Sequence, residues 1–192
     1  MTLPPGIVFD DAGDAWFFAY GSLMWDPCFP HVERQPALLR GFHRAFCVRS
    51  QAYRGSPEAP GLVLGLDRGG ACRGYAFRIA ADQRERAARE IAEREMDRDI
   101  YQCRKFPVII PAGKVAAHAL VVRRTSELYV GRLPPGEAAR RIARAEGRRG
   151  TNLAYLTDTV AHLDALGIRE GAMHALLREV ERLSRDTGVA TR

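Results

Sequence analysis

The hydrophobic and polar positions along the chain predict a strand-rich first part, interrupted by one helix, and a helical C-terminal part. A continuous apolar run, Trp16–Tyr20, ends at Gly21-Ser22, which indicates a buried strand followed by a tight loop. Further strands are predicted between turn-forming segments. They cover residues 38–48, 62–66, 72–79, 106–110 and 115–122.

Helical periodicity predicts the remaining elements. Residues 82–97 have helical composition, and Asp82 with Glu85 three residues later matches a capping box at the start of a helix. Apolar residues three or four positions apart predict C-terminal helices, over residues 136–146, 152–166 and 171–185. The order of elements predicts an α+β fold, with a small mixed sheet closed into a β-barrel, one inserted helix and C-terminal helices.

Length and charge place the chain among ordinary globular proteins. Its 192 residues suit a single domain, predicted over residues 16–185, with a loose Pro/Gly/Asp-rich N-terminal tail over 1–15 and a C-terminal tail over 186–192. The net charge is +6, from 29 Lys+Arg against 23 Asp+Glu. No zinc finger, RNP motif or helix-turn-helix signature accompanies it, so we expect no nucleic-acid partner. The basic excess favours an acidic substrate instead.

The cysteines and the absence of long apolar segments indicate the cellular compartment of the protein. Cys28, Cys47, Cys72 and Cys103 form no C-x-x-C pair and have no zinc-site spacing, so we expect no metal. The first residues do not resemble a signal peptide, and no segment approaches the ~20 apolar residues of a membrane-spanning helix. We therefore expect a cytoplasmic protein with reduced thiols and no membrane association.

One carboxylate lies on an apolar helix face. At about 100° per residue, Ile91, Ala92 and Glu95 all fall within about 60° of Ala88. A carboxylate in such a place is costly to bury unless it is paired or protonated. Two interpretations stay open at this point: Glu95 forms an ion pair with an arginine, or it is a catalytic acid/base group.

The loop after the first strand is the second candidate site. Tyr20-Gly21-Ser22-Leu23 follows the apolar run directly. Glycine allows a close backbone approach, and successive N–H groups in such a turn can bind an anion or stabilise an oxyanion. The context is not G-x-S-x-G, so a serine-hydrolase nucleophile is not indicated. His118 alternates within a predicted strand and is interpreted as structural.

Five separated motifs, in the same order, resemble the ChaC-type γ-glutamylcyclotransferase family from about Trp16 to Leu183. Residues 20–25 resemble its Y-G-S-L-x-W, and residues 43–47 (HRAFC) are similar to its bacterial branch. Residues 54–61 resemble R-G-x-P-x-x-P-G, residues 94–96 with Tyr101 resemble R-E-M…Y, and residues 150–156 resemble G-T-N-x-x-Y-L. The animal branch has W-Q-G-S where this chain has residues 47–50 (CVRS), so contacts made there differ.

The resemblance implies a fold, an activity and a set of site residues. The fold is the small mixed β-barrel with helices, and the activity is cleavage of glutathione to 5-oxoproline and Cys-Gly without a cofactor. The family's catalytic glutamate matches Glu95, and Tyr155 is an expected hydroxyl donor. From their charge and their position at a loop, rather than from the resemblance, Arg49 or Arg54 is expected to bind the glycine carboxylate of the substrate. The expected substrate loop consists of Phe17, Phe18, Ala19, Tyr20, Gly21, Ser22 and Leu23.

Two alternatives to this activity remain at this point. The first is a cyclotransferase for another γ-glutamyl dipeptide or for a γ-glutamyl amine. The second is a non-catalytic ligand-binding module on the same fold. Retention of Glu95 argues against the non-catalytic module, and the oligomeric state is left open.

Overall fold

The structure, a computed structural model, describes residues 7–96 and 99–186. Its strands form a closed barrel in the order β1-β3-β2-β4-β5. Strand β1 is antiparallel to β3 and parallel to β5, and β4 pairs with β5 along its whole length. The strands are β1 (Ala15–Ala19), β2 (Glu33–Ser50), β3 (Gly61–Ile79), β4 (Tyr101–Ile110) and β5 (Gly113–Val122).

The helices follow the predicted order. Helix α1 (Arg84–Glu95) separates β3 from β4 in the sequence. After the barrel strands come α2 (Pro135–Arg144), a two-stranded sheet of β6 (Glu146–Gly147) and β7 (Gly150–Thr151), α3 (Asn152–Ala165) and α4 (Gly171–Asp186). The predicted α+β class, with a small mixed barrel, an inserted helix and C-terminal helices, is confirmed.

The continuous apolar run of β1 is explained by burial of both faces of the strand. Phe18 belongs to the barrel core, whereas Phe17 points the other way and packs edge-on against Phe29, with ring centroids 5.4 Å apart. Because neighbouring side chains on a strand point to opposite faces, a strand buried on both sides loses its polar alternation. The core is lined by Phe18, Ala37, Leu39, Leu66, Cys72, Ala76, Val108, Ile110, Ala117, Ala119 and Val121.

The chain groups into two compact units. The first comprises residues up to Arg44 together with Leu66–Ser126, and the second comprises Ala45–Gly65 together with the residues from Glu127 onward. Strands β2 and β3 contribute residues to both units. The single domain expected over residues 16–185 stays a prediction, because grouping by contacts does not show whether either unit folds alone.

Strand β3 differs from its prediction. The sequence predicts a turn between two strands at residues 67–70, but β3 runs without interruption through them. Gly69 and Gly70 have φ values of +105° and +69°, a left-handed backbone conformation that glycine adopts readily within the strand. Asp67 is buried, and its Oδ1 accepts hydrogen bonds from Arg68 N and Arg124 Nε, both at 2.8 Å.

The start of α1 also differs. The capping box of Asp82 and Glu85 is wrong, because a 3₁₀ turn (Ala81–Gln83) precedes the helix and no side chain caps its N-terminus. Instead, Asp14 Oδ1 accepts a hydrogen bond from Ala81 N at 3.1 Å. A carboxylate far away in sequence therefore satisfies a backbone donor at the turn, which a local capping rule cannot find.

The expectation of a loose N-terminal tail over 1–15 is wrong for its described part. Ile7 and Phe9 are buried, and Asp11 Oδ2 lies 2.8 Å from His118 Nε2 of β5. Apolar burial and the carboxylate–imidazole contact therefore fix this segment to the first unit. Residues 1–6 of this tail and residues 187–192 of the predicted C-terminal tail lie outside the described part of the chain.

Candidate active site

The loop after β1 forms a tight turn with open donors. A 3₁₀ turn (Ser22–Met24) follows Gly21, held by hydrogen bonds from Met24 N to Gly21 O at 2.9 Å and from Asp26 N to Ser22 O at 2.9 Å. Among the described residues, the N–H groups of Ser22 and Leu23 have no acceptor. The first N–H groups of a helical turn lack partners within the turn, so these two can donate to a ligand.

Gly21 matters to this loop because it carries no side chain. Its φ is −129°, outside the left-handed region that favours glycine. A side chain is therefore not excluded by φ at this position. The predicted importance of the glycine depends on keeping the neighbouring N–H groups accessible.

Arg44 holds the loop from the barrel side, and sequence reasoning missed it. Its side chain is buried, its Nε donates to Tyr20 O, and its Nη2 donates to Arg73 O at 2.7 Å. Nη2 also lies 4.0 Å from Met24 Sδ. A buried guanidinium bonded to main-chain oxygens fixes the backbone position of the loop. The only sequence signal was an arginine inside the HRAFC motif of residues 43–47.

Glu95 lies at the C-terminal end of the buried face of α1. Ala87, Ala88 and Ile91 are buried, and the Glu95 side chain, one turn beyond Ile91, is 24% exposed. The carboxylate is therefore half-buried at the edge of the face and reachable from solvent. The helix-face argument located it on the correct side of the helix.

The ion pair considered for Glu95 exists, but with its own neighbour. Arg94 Nε lies 3.4 Å from Glu95 Oε1. The same guanidinium donates from Nη2 to Ser22 Oγ at 3.1 Å and from Nη1 to Asp26 O at 2.8 Å. Arg94 thus connects the carboxylate of α1 to the loop after β1. The ion-pair and acid/base interpretations of Glu95 are therefore compatible with each other.

A thiol also feels the charge of this carboxylate. Cys28 Sγ lies 3.6 Å from the carbonyl oxygen of Glu90. Burial raises the pKa of the Cys28 thiol, Arg94 lowers it, and the charge of Glu95 raises it further. The thiol is therefore uncharged at neutral pH.

The first three residues of the predicted substrate loop are interior residues. The side chains of Phe17, Phe18 and Ala19 are at most 1% exposed. They anchor β1, whereas Tyr20, Gly21 and Ser22 are half-buried and Leu23 is buried. A ligand role for residues 17–19 would have to involve their backbone, and their assignment to the substrate loop stays a prediction.

The other predicted binding residues lie in the second unit. The Tyr155 ring packs edge-on against Phe46, with centroids 5.8 Å apart, and the Arg54 guanidinium lies 5.2 Å from the Tyr155 ring centroid. Burial lowers the pKa of Arg54, whose Nη1 donates to Thr151 O at 3.3 Å. Arg49 Nη2 donates to Glu127 O at 3.2 Å. Their predicted binding roles remain predictions.

Two residues of the G-T-N motif have structural roles that the motif alone did not reveal. The Thr151 side chain caps α3, accepting a hydrogen bond from Ala154 N at 3.1 Å. Asn152 is fully buried; its Oδ1 accepts from Leu62 N at 2.6 Å and its Nδ2 donates to Leu62 O at 2.8 Å. The amide therefore bonds the backbone of β3 as a neighbouring strand would.

A second polar cluster of the first unit surrounds buried His118. Lys105 Nζ is 2.6 Å from Asp10 Oδ1 and 3.1 Å from Asp11 Oδ1, and these carboxylates also face His118 Nε2. Cys103 Sγ lies 4.0 Å from His118 Nδ1. Burial, followed by the charge of Asp10, raises the pKa of Cys103 to about 12, so the thiol stays protonated at neutral pH.

The cluster has the ligand spacing of a cation site, but an ammonium group already contacts both of its carboxylates. One oxygen of each of Asp10 and Asp11 and one His118 nitrogen lie within 4.8 Å of one another. The Lys105 ammonium contacts both carboxylates. A cavity of about 490 Å³ beside the cluster is lined by Asp10, Cys103, Lys105 and His118, among others. Neither Glu95 nor the loop after β1 lines this cavity.

Among the described helices, none is long and apolar enough to cross a membrane.

The fold defines the class of protein. The crystal structure of a γ-glutamylcyclotransferase specific to glutathione from yeast matches the structure of this chain with a TM-score of 0.78 at 21% identity. The match covers 88% of this chain and 96% of the yeast protein. The chain therefore has a γ-glutamylcyclotransferase-like α+β fold.

Sequence comparison gives the family. The profile of the ChaC-like protein family matches residues 15–183, and the chain belongs to that family. It is 33% identical over 174 residues to the glutathione-specific γ-glutamylcyclotransferase of Escherichia coli K12, covering 90% of this chain and 75% of that protein. It is 29% identical over 196 residues to the Schizosaccharomyces pombe protein of the same name, covering 88% and 92%.

Proposed function

We propose that this protein is a glutathione-specific γ-glutamylcyclotransferase that releases 5-oxoproline and Cys-Gly. Membership of the ChaC-like family supports the activity, together with relatives named for it that match most of the chain. The observation that carries the mechanism is the connection of Glu95 to the open turn at Ser22 through a single guanidinium.

The proposed reaction is an internal substitution within glutathione. The nitrogen of the substrate's α-amine attacks the γ-carbonyl carbon and forms a five-membered ring, and the bond from that carbon to the cysteinyl nitrogen breaks. The amine is mostly protonated at neutral pH, so a base must first take a proton. The attacking nitrogen loses two protons in all, one before the attack and one as it becomes the ring amide. Glu95 accepts each proton in turn and passes it to the departing cysteinyl nitrogen, which leaves as an ammonium group, so the enzyme ends unchanged.

Partial burial of the Glu95 side chain supports this role. At 24% exposure the carboxylate is sheltered from bulk water but still accessible to a small molecule. Arg94 beside it stabilises the ionised form that accepts a proton. Positioned acid/base groups typically contribute about 10²- to 10⁴-fold to a rate.

The turn after β1 supplies the second requirement, which is to hold the substrate folded. The N–H groups of Ser22 and Leu23, which have no acceptor in the part of the chain that the structure describes, can bind a carboxylate or the oxygen that becomes negative during attack. Holding the amine against the γ-carbonyl can supply roughly 7 kcal/mol or more of the barrier reduction. No step in this scheme requires a metal or an organic cofactor.

The test is a Glu95→Gln variant assayed for 5-oxoproline release from glutathione. Glutamine keeps the size of the side chain but cannot accept the proton, so activity should fall by about two orders of magnitude or more. The fold should change little, because Glu95 is partly exposed and Arg94 keeps its contacts with Asp26 and Ser22. We expect a loss in unfolding free energy below about 1 kcal/mol.

Glu93→Gln is the matched control, because Glu93 lies exposed on the same helix. It should keep wild-type turnover and melting temperature. A folded Glu95→Gln enzyme with full activity would show that Glu95 is not the base. Turnover of γ-Glu-Ala measured beside glutathione tests the specificity, and preference for γ-Glu-Ala would contradict it.

We place this activity in the cytosol. All four cysteines are free thiols. Free thiols are typical of a reducing compartment.

A further inference from the structure

Arg94 makes three sets of contacts that converge on the proposed site. Its Nη2 donates to Ser22 Oγ at 3.1 Å. Its Nη1 donates to Asp26 O at 2.8 Å and lies 3.0 Å from Asp26 Oδ2. Its Nε lies 3.4 Å from Glu95 Oε1. Every nitrogen of the guanidinium is therefore used, and the side chain is only 22% exposed.

These contacts join two elements far apart in sequence. Ser22 and Asp26 belong to the turn after β1, whereas Arg94 and Glu95 end α1, and the bond to Ser22 spans 72 residues of chain. The planar guanidinium fixes the directions of its donors, so the position of the turn and that of the carboxylate depend on one rigid group.

We propose that Arg94 is a positioning residue that sets the distance between the substrate-binding turn and the Glu95 carboxylate and keeps that carboxylate ionised. This inference rests on the proposed function, since it assigns to Arg94 the placement of the proposed base relative to the proposed donors. Arg94 acts through Ser22, Asp26 and Glu95 rather than by touching the reacting atoms.

Lysine could not replace arginine in this role. An ammonium keeps the positive charge but concentrates its donors on one atom, whereas the three acceptors lie around a planar fork. Arg94→Lys should therefore separate the two functions of the residue. The variant preserves the positive charge beside Glu95 but loses the planar arrangement of hydrogen-bond donors.

The charge has a predictable effect on the pH dependence. A cation beside a carboxylate favours the ionised form, so removing it moves the acidic limb of the kcat/KM profile to higher pH. Among the residues that the structure describes, Asp26, paired with Arg94, and Cys28, whose pKa is raised by burial and by Glu95, are two further charged or titratable groups near this pair. The Cys28 thiol is uncharged at the pH values of the acidic limb and therefore does not affect it.

The experiment compares Arg94→Met, Arg94→Lys and Arg86→Met in the full chain. Arg86 is the matched control, because it lies on α1 and also pairs with a glutamate, Glu90, at 2.9 Å. For each protein, kcat and KM for glutathione are measured by 5-oxoproline release from pH 5 to 9. Melting temperatures are recorded in the same buffers.

We expect Arg94→Met to lower kcat/KM by roughly 10- to 100-fold, as misplacement of about 1 Å does in other active sites. Its acidic limb should move to higher pH. Arg94→Lys should lose most of the same rate while keeping the wild-type acidic limb. Arg86→Met should match the wild type in both respects. A residue that only stabilised the fold would lower the melting temperature and leave the limb in place.

Wild-type kcat/KM and an unmoved acidic limb in folded Arg94→Met would overturn the inference. If Arg94→Met melts below the assay temperature, Arg94→Lys decides alone, and wild-type kcat/KM in that variant overturns it. Glu95→Gln is assayed in parallel. Activity in Glu95→Gln rejects the proposed base itself, whereas an inactive Glu95→Gln beside unaffected Arg94 variants rejects only the role of Arg94.

Discussion

Gly61, the first residue of β3, has no room for a side chain. A Cβ atom there would lie 2.5 Å from Asn152 Oδ1 and only 1.9 Å from Arg54 O, a backbone atom that no side-chain movement can clear. The R-G-x-P-x-x-P-G motif, which ends at this glycine, therefore reflects backbone packing in the second unit. Nothing in the motif sequence distinguishes this packing role from a ligand-binding role.

At the scale of the residue, we predict that two Gly→Ala changes have different effects on the free energy of unfolding. Gly61→Ala should destabilise the protein by on the order of 3 kcal/mol, because overpacking forces the backbone to move. Gly13→Ala is the control, since a Cβ atom at Gly13 would have no neighbour within 4 Å and the φ of this glycine is not in the left-handed region. It should leave the unfolding free energy unchanged or raise it by up to about 1 kcal/mol. Urea unfolding measures both, and equal stabilities would contradict the packing argument.

The start of α3 depends on a residue that binds a distant strand. Asn152 satisfies both the N–H and the C=O of Leu62, 90 residues away in the sequence. Thr151 caps the same helix end locally, through Ala154 N. The two neighbouring residues of the G-T-N motif therefore stabilise the helix start in different ways, one through tertiary structure and one through local structure.

At the scale of the element, we predict that Asn152→Ala lowers the free energy of unfolding more than Thr151→Ala does. Loss of the Asn152 amide leaves two buried backbone groups of Leu62 without this partner, so the cost should be about 2–4 kcal/mol. Loss of the Thr151 cap should cost about 1 kcal/mol. Chemical denaturation of the two variants measures the difference between their unfolding free energies. Similar losses for both would mean that the bonds from Asn152 contribute little net stability.

Ion pairs at the end of β3 connect segments of the first unit that are far apart in sequence. Arg78 Nη1 lies 2.6 Å from Asp14 Oδ2, just before β1, and Arg78 Nε lies 2.6 Å from Glu33 Oε2 at the start of β2. The hydrogen bond from Arg78 lowers the pKa of Asp14. Hydrogen bonds from Gln35 and Arg78 lower the pKa of Glu33. Arg78 therefore couples three segments to the ionisation of two carboxyl groups.

At the scale of the whole molecule, these pairs predict a loss of stability in acid. A carboxyl group with a lowered pKa in the folded protein stabilises it above the unfolded pKa, and this stability is lost as pH falls through the folded pKa. The melting temperature should therefore fall below about pH 4. Arg78→Met should lower the melting temperature at pH 7 and reduce the further fall in acid, because the carboxyl groups then lack their partner.

Arg89→Met is the control for this series, since Arg89 is exposed on α1. It should keep the melting temperature and acid dependence of the wild type. Thermal melting from pH 7 to 3 gives both quantities. If Arg78→Met keeps the full acid dependence of the wild type, these two carboxyl groups are not its source.

The sequence by itself determined the elements and the candidate residues. Apolar runs and 3.6-residue periodicity located the barrel strands and the four α-helices of the described residues, because local burial requires a pattern within a few residues. The same periodicity selected Glu95, since a carboxylate among apolar helix positions breaks the pattern. The motifs located the turn after β1 and the ChaC-like family.

The tertiary structure alone decided how those residues meet. It decided that β3 continues through Gly69-Gly70. It also decided three contacts between segments far apart in sequence: those of Arg44 with Tyr20, of Arg94 with Ser22 and of Asn152 with Leu62. Such contacts leave no local periodicity, because each partner obeys only its own element's pattern. Sequence reasoning could therefore identify the carboxylate and the turn, but not the guanidinium that connects them.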